Sequence, residues 1–404
     1  MFPSPEPRIL RVVKRIYLDH TATTPTDPRV LEAMQPYFSA TFGNASSVHW
    51  YGRQAKAALE QARGTIAAAI GAEPGEVFFT SGGTESDNLA IRGVAHVARE
   101  RGRTQIVTSM AEHHAVLETC EQLRDEGTVV TFLPVTAYGN VETQTVREAL
   151  GPATALVSIM HSNNEVGTLS PVADIAAAAH ECGALMHTDA VQSLGKVAVN
   201  VRRLDADLMS VSAHKIYGPK GIGALYIRRG ADVAPLLRGG GQERGKRPGT
   251  ENVPLAVGFA RAVEIAEHNR EEESRRLANL RDLLEQAIRE AFPSVRMNGH
   301  PLERLPHILN ISFDSSKLRM EGEMLLMGMD LKGIAASSGS ACTSGSVQPS
   351  HVLLAMGRDA ETARATLRFS FGRGNAVEDI PVVLEALKEV VGSAAGGPSA
   401  RTRD

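Results

Sequence analysis

From residue 16 to about residue 230, short β-branched runs alternate with alanine-rich stretches whose apolar positions recur at helical spacing. The apolar runs predict strands at Ile16–Asp19, Val77–Thr80, Ile106–Ser109, Ala155–Met160, Ala184–Thr188, Leu208–Ser212 and Ala224–Arg228. Between several of them lie amphipathic segments such as Val172–His180. That alternation predicts an α/β fold with a mostly parallel sheet and right-handed crossovers. A long charged helix over Leu255–Phe292 then leads into a region with fewer strands, His307–Phe313 and Thr366–Phe371, and a closing helix over Val377–Val391. The pattern divides the chain into a large domain, 16–265, and a smaller α+β domain built from 1–15 and 266–391. Residues 392–404, GSAAGGPSARTRD, have the Gly/Ser/Pro character of a disordered tail.

Composition narrows the function classes. The 404 residues exceed what one compact core holds. A formal net charge of −3 gives no pull toward nucleic acid or an anionic membrane. No apolar run approaches the roughly 18 residues of a membrane span. The N-terminus is basic, but Pro3, Pro5, Pro7 and Glu6 interrupt it, and Arg8, Arg11, Lys14 and Arg15 cut its apolar stretches. It has no signal-peptide core, and a cytoplasmic location is expected. Cys120, Cys182 and Cys342 are far apart and form neither a zinc spacing nor a disulfide framework.

In an open parallel sheet, ligands gather at the carboxyl ends of the strands, so the residues just past each strand carry the candidate chemistry. VFFTSGGTESDN reads as strand, glycine turn and helix, and the free N–H groups at Gly83 and Thr84 would suit an anion such as phosphate. A plain strand-to-helix turn is the alternative, and Glu85 and Asp87 read as ordinary helix-start acids. In LMSVSAHKIYGPKG, Lys215 follows an apolar strand; desolvation there would make it an amine nucleophile, whereas in an exposed turn it would be a plain surface lysine. In GALMHTDAVQS, Asp189 could hold a pyridine nitrogen protonated, with Gln192 close by. His187 and Asp189 lack a third partner at metal-site spacing, so no metal is expected. In IVTSMAEHHAVL, His113 could stack on a flat ring and exchange protons, or serve only a structural role.

AASSGSACTSGSVQPS differs from everything else in the chain. From Ala335 to Ser350 it is small and hydroxylated, with Val347 its one apolar branch, and it is expected to be mobile. Cys342 sits in its middle, where nothing packs a thiol, whereas Cys120 and Cys182 fall in helical patterns and read as packing. QERGKR, residues 242–247, reads as an anion contact or a solvated loop in a net-acidic chain, not as a nucleic-acid site.

Taken together, YLDHTATTP, FGNASS, TSGGTESDNLAI, AEHHAVL, SIMHSNNEVG, HTDAVQS, SAHKIYGPKGIGALY, GGGQERGKRPGT, SSGSACTS and RFSFGR resemble the cysteine desulfurases of the NifS/IscS type. These are class V members of the fold-type I enzymes that use pyridoxal 5′-phosphate (PLP). The resemblance implies a fold-type I PLP-dependent transferase with Lys215 as the Schiff-base lysine and His113 over the cofactor ring. It implies Asp189 at the pyridine nitrogen, and Gln192 with Asn164 at the ring hydroxyl. Gly83, Thr84, Ser212 and His214 would hold the phosphate, joined by Thr250 from the other subunit of a homodimer. Arg368, with Asn44 and Asn164, would bind L-cysteine. Cys342 would take its sulfur as a persulfide, leave alanine, and hand the sulfur to an acceptor such as an iron–sulfur scaffold protein. Ala213 stands where many relatives have glycine, and the chain's last residues differ from the Trp-His ending of housekeeping members. The long serine-rich loop resembles the branch with an extended catalytic loop. A selenocysteine lyase or another class V PLP enzyme is the alternative.

Overall fold

The computed structural model describes residues 15–317, 320–338 and 348–395. In chain order its strands are β1 (Ile16–Tyr17), β2 (Val77–Thr80), β3 (Gln105–Ser109), β4 (Val129–Leu133), β5 (Thr154–Ser158) and β6 (Leu185–Asp189). They continue as β7 (Leu208–Ser212), β8 (Gly223–Ile227), β9 (Val295–Asn298), β10 (Ile308–Phe313), β11 (Ile334–Ala335) and β12 (Thr366–Ser370). Seven of them form the large sheet in the order β2-β8-β7-β6-β5-β3-β4. Every neighbouring pair from β7 to β4 is parallel, and β8 alone runs against its two neighbours. The carboxyl ends of β5, β6 and β7 therefore open on one edge, where a parallel sheet places its ligand.

Four of these strands, β2, β5, β7 and β8, are buried throughout, which is why they read as continuous apolar runs. Three strands escape the sequence pattern, the two-residue β11 among them. β4 is the sheet's edge and half exposed, and β9 is a four-residue strand at the edge of the three-stranded sheet β12-β10-β9. Edge strands lack the two-sided burial that makes a strand legible.

β1, placed with the large domain in the sequence reading, lies apart from the large sheet. It pairs in parallel with β11, and Ile16 and Leu18 pack into a core with Leu309, Ile311, Leu367 and Phe369. The helix Val253–Ala291 links this core to the one beneath the large sheet. Its first half contributes Val253, Ala256, Phe259 and Val263 to the large-sheet core. Its second half gives Leu277, Leu280, Leu284 and Ile288 to the smaller one, each side chain worth roughly 1.5–3 kcal/mol when fully buried. The closing helix spans Asp379–Ala395 and takes in the first residues assigned to the tail. Among the described residues no helix is long and apolar enough to cross a membrane.

Candidate active site

A cavity of about 730 Å³ opens at the carboxyl ends of the central strands. His113, Asn164, Gln192, Lys215 and Arg368 all line it, although they come from five segments of chain. Asp19, Thr21 and Ala22 form part of the wall, and Leu326, Met327 and Leu331 of the helix Gly322–Leu331 form the facing side.

Lys215 ends the one-turn helix Ala213–Lys215, directly after β7. Its Nζ donates to the carbonyls of Thr21 (2.6 Å) and Ala22 (2.7 Å). Loss of water brings its pKa down to about 8, helped by the Arg368 charge and opposed by Asp189 and Asp19. The turn that aims it is strained: Tyr217 adopts a left-handed φ of 66°. That conformation is held from several sides. Arg373 lies over the Tyr217 ring at 4.1 Å and its backbone N–H donates to the Tyr217 hydroxyl, while Asp27 N–H donates to the Tyr217 carbonyl.

His113 caps the helix His114–Asp125, and its Nδ1 accepts from Ala115 N–H at 3.1 Å. That bond leaves Nε2 for the cavity. The surrounding protein, then the Lys215 charge, hold its pKa near 4, so the ring is neutral, and with Nδ1 accepting the cap bond its proton sits on Nε2. Arg368, on β12, donates to Asn164 O and to Asp19 Oδ1, each at 2.9 Å, and its buried Nε has no protein partner. Gln192 Nε2 donates to Thr21 O at 3.1 Å.

The other candidates surround this cavity or lie beyond it. Asp189 ends β6 with its Oδ1 accepting from Val191 N–H; burial raises its pKa to about 6, against the pull of that bond and of Lys215. Gly83 packs so tightly that a Cβ there would lie 2.8 Å from Val191 Cγ2, which sets the start of the helix Gly83–Glu100 beside the β6 exit. Thr84 follows in the first turn of that helix. Ser212 Oγ, at the end of β7, is buried without a partner, and His214 Nδ1 lies 3.1 Å from Thr23 Oγ1. Thr250 is exposed on a separate cavity of about 270 Å³, with Ser81 and Gly221. Asn44 is also exposed, and its side chain accepts from Ser46 N–H. Neither Thr250 nor Asn44 lines the main cavity of the single chain.

Cys342 lies outside the described residues. The chain on either side of its segment is anchored at the site. Ser337 and Ser338 line the cavity, and Ser337 exchanges backbone hydrogen bonds with Arg368. On the far side the Ser350 hydroxyl donates to Glu165 Oε2 at 2.5 Å, and His351 Nε2 lies 2.9 Å from Glu112 O. Of the other thiols, Cys120 is buried, and burial pushes its pKa up to about 12; Cys182 Sγ donates to Ala179 O just past the end of a helix.

Two readings change. The 242–247 segment is tied to the rest of the molecule by its side chains, although Arg244 and Gly245 stay exposed. Glu243, at φ 46°, is buried and accepts from Arg63 Nη1 and Nη2 (2.7 Å each) and Phe79 N–H (2.8 Å). Arg244 covers the Phe78 ring, and Arg247 pairs with Glu85. Asp87, read as a helix-start acid, is instead 1% exposed. The sequence also gave no signal for the Thr21 and Ala22 carbonyls, which act through backbone atoms of a motif noticed only as a whole. No cluster among the described residues could hold a metal ion.

The residues present fit PLP. Lys215 is a depressed-pKa amine, Asp189 is a carboxylate at a strand end, and Ser212 Oγ, Asn164 Oδ1 and Arg368 Nε are buried polar atoms without protein partners.

The class-V aminotransferase family matches residues 16–383. A cysteine desulfurase IscS of Methanosarcina thermophila is 48% identical over 378 residues, covering 94% of this chain and 92% of that protein. Among solved structures, a NifS-like protein matches with a TM-score of 0.87 and 37% identity, over 94% of this chain and all of that one. SspA in complex with cysteine matches at 0.78 and 39%, over 89% and 99% of the two chains.

Proposed function

The chain belongs to the class-V aminotransferase family, among its cysteine desulfurases, and from that membership we propose that it converts L-cysteine to L-alanine with PLP and leaves a persulfide on Cys342. The observation that carries this reading is the convergence of Lys215, His113, Gln192, Asn164 and Arg368 on one cavity, with the Cys342 segment leaving the fold at its wall and rejoining it on Glu165 and Glu112, the chain neighbours of Asn164 and His113.

PLP would be held by Lys215, Asp189 and Gln192, with its phosphate at Gly83, Thr84, Ser212, His214 and a partner subunit's copy of Thr250; when bound it serves as an electron sink that loosens bonds at the substrate's α- and β-carbons. Lys215 supplies the amine that carries the cofactor and then accepts the α-proton of L-cysteine. Arg368 grips the substrate carboxylate with Asn44 and Asn164, a task suited to a planar guanidinium with an unspent Nε–H. His113 presents its Nε2–H to the substrate, and it shuttles a proton only by exchanging the cap bond at Nδ1. The Cys342 thiolate attacks the substrate sulfur, so that a sulfur–sulfur bond forms as the carbon–sulfur bond breaks. The carbon fragment keeps that electron pair and takes up a proton to become alanine. The enzyme would work as a cytoplasmic homodimer, delivering sulfur to an acceptor such as an iron–sulfur scaffold.

The test is alanine and sulfide release from L-cysteine, with mass mapping of thiols after incubation without reductant. One extra sulfur on Cys342, and on neither Cys120 nor Cys182, is expected, and Cys342→Ala should lose turnover by orders of magnitude while still binding PLP. A Cys342→Ala protein releasing alanine at the wild-type rate would overturn the persulfide route.

A further inference from the structure

We propose that Asp87 is a positioning residue for Asp189: a buried carboxylic acid, held neutral, that completes the hydrogen-bonded layer beneath Asp189 and leaves that layer's negative charge on Asp189 alone. The proposal rests on the PLP reading of the site and adds to it a residue from the helix behind the cofactor.

Asp87 lies in the first turns of the helix Gly83–Glu100, on the side turned to the sheet, together with buried Ser86, Leu89 and Ala90. It meets a polar patch set among Leu89, Leu156 and Leu208. His187 and Asp189 stand two residues apart on β6 and so share one face, with Ser210 directly opposite Asp189 in the β7 register. The His187 ring is fully buried, with Nδ1 2.8 Å from Ser158 Oγ and Nε2 3.1 Å from Ser210 Oγ. Asp87 Oδ1 is 3.7 Å from His187 Nε2, beyond hydrogen-bonding reach, and has no partner.

That unpartnered oxygen decides the protonation state. An ionised carboxylate enclosed with an oxygen that no donor reaches carries a large desolvation cost, whereas a carboxylic acid tolerates one unused lone pair and donates its own proton. The neighbours agree. Burial, and then the Asp189 charge, push Asp87 well above the usual carboxylate range, and the Ser210 hydroxyl offsets only part of this. Glu112, in the turn after β3, pushes Asp87 in the same direction, and is itself raised to about 8 by burial. His187 is driven down to about 3 by burial and stays neutral. The nearby cation, Lys215, acts on Asp189, which also has the Val191 N–H. Two carboxyl groups in one enclosure do not both ionise, and these supports assign the charge to Asp189 and the proton to Asp87. Asp189 can then pair with a protonated ring nitrogen without a second anion behind it.

Apoprotein labelled with ¹³C at its aspartate carboxyls should show one buried carbonyl resonance at the protonated position through neutral pH, missing from Asp87→Asn. PLP titration of apoprotein gives the second readout. Asp87→Leu should weaken affinity about tenfold, and Asp87→Asn, which mimics the neutral acid, should recover it to within about threefold. A carboxyl of Asp87 already ionised at neutral pH, or an Asn variant as weak as the Leu variant, would overturn the proposal. Should the variants fail to fold, the wild-type spectrum still decides, since the absence of any protonated aspartate overturns it. A wild-type protein that binds no PLP would instead remove the functional reading, while the apoprotein spectrum would still report on Asp87.

Discussion

The reactivity of Lys215 can be worked from its surroundings and measured without cofactor. An ordinary lysine titrates at 10.5, and burial with the Arg368 charge brings this one to about 8. At about pH 7, a lysine of pKa about 8 is neutral in roughly one molecule in ten, and an ordinary lysine in roughly three in ten thousand, a ~300-fold difference in available nucleophile. The folded pKa lies below the unfolded one, so the neutral form gains population as pH rises through about 8, and a further rise adds little. Trace acetylation of the apoprotein across a pH series, followed by mass spectrometry of the Lys215 peptide against a free-amine standard, reads this directly. Reactivity should climb about tenfold per pH unit below the midpoint and level above it. Asp189→Asn should move the midpoint down, because the Asp189 carboxylate favours the ammonium. A Lys215 midpoint near that of surface lysines, or an upward move in Asp189→Asn, would refute the reasoning.

Two predictions concern the supports of the site. Glu243→Gln keeps the shape but leaves the buried Arg63 guanidinium with only the more exposed Glu60 as counter-charge, and should lower unfolding free energy by about 2–3 kcal/mol in a denaturant titration; a loss under about 0.5 kcal/mol would show that the pair does not anchor the 239–250 segment. Ser350→Ala removes both the cap on Leu353 N–H and the hydroxyl that serves buried Glu165, and should cost about 2–3 kcal/mol by the same assay, whereas an unchanged midpoint would mean that the chain leaving the Cys342 segment is not held there.

Much of the framework was legible in the sequence because burial on both faces leaves an unmistakable pattern. Val77–Thr80 and Leu208–Ser212 are strands with the predicted bounds, and each ends at a residue run that carries chemistry. Lys215, His113 and Gln192 could be singled out because they follow strand ends, a local property of the chain, whereas Asn164 and Arg368 were reached only through the family resemblance. Edge strands β4 and β9 could not be singled out, since exposure erases their apolar signature.

What the sequence could not decide is which distant groups share an enclosure. Arg63 and Glu243 are 180 residues apart, and only the close packing of the 242–245 turn on β2 makes them a pair. Asp87 looks in sequence like any acid at a helix start. The tertiary fold alone turns it inward against His187 and Ser210 and removes the water that would keep it charged. Lys215, too, has an ordinary side chain; its lowered pKa comes from burial at the sheet edge and from the Arg368 charge, against the pull of Asp189 and Asp19. Local sequence determined the elements and the reactive residue types, because periodicity and turn chemistry act over a few residues. Protonation states waited on tertiary structure, because desolvation and Coulomb terms depend on everything within reach of a charge, wherever it lies in the chain.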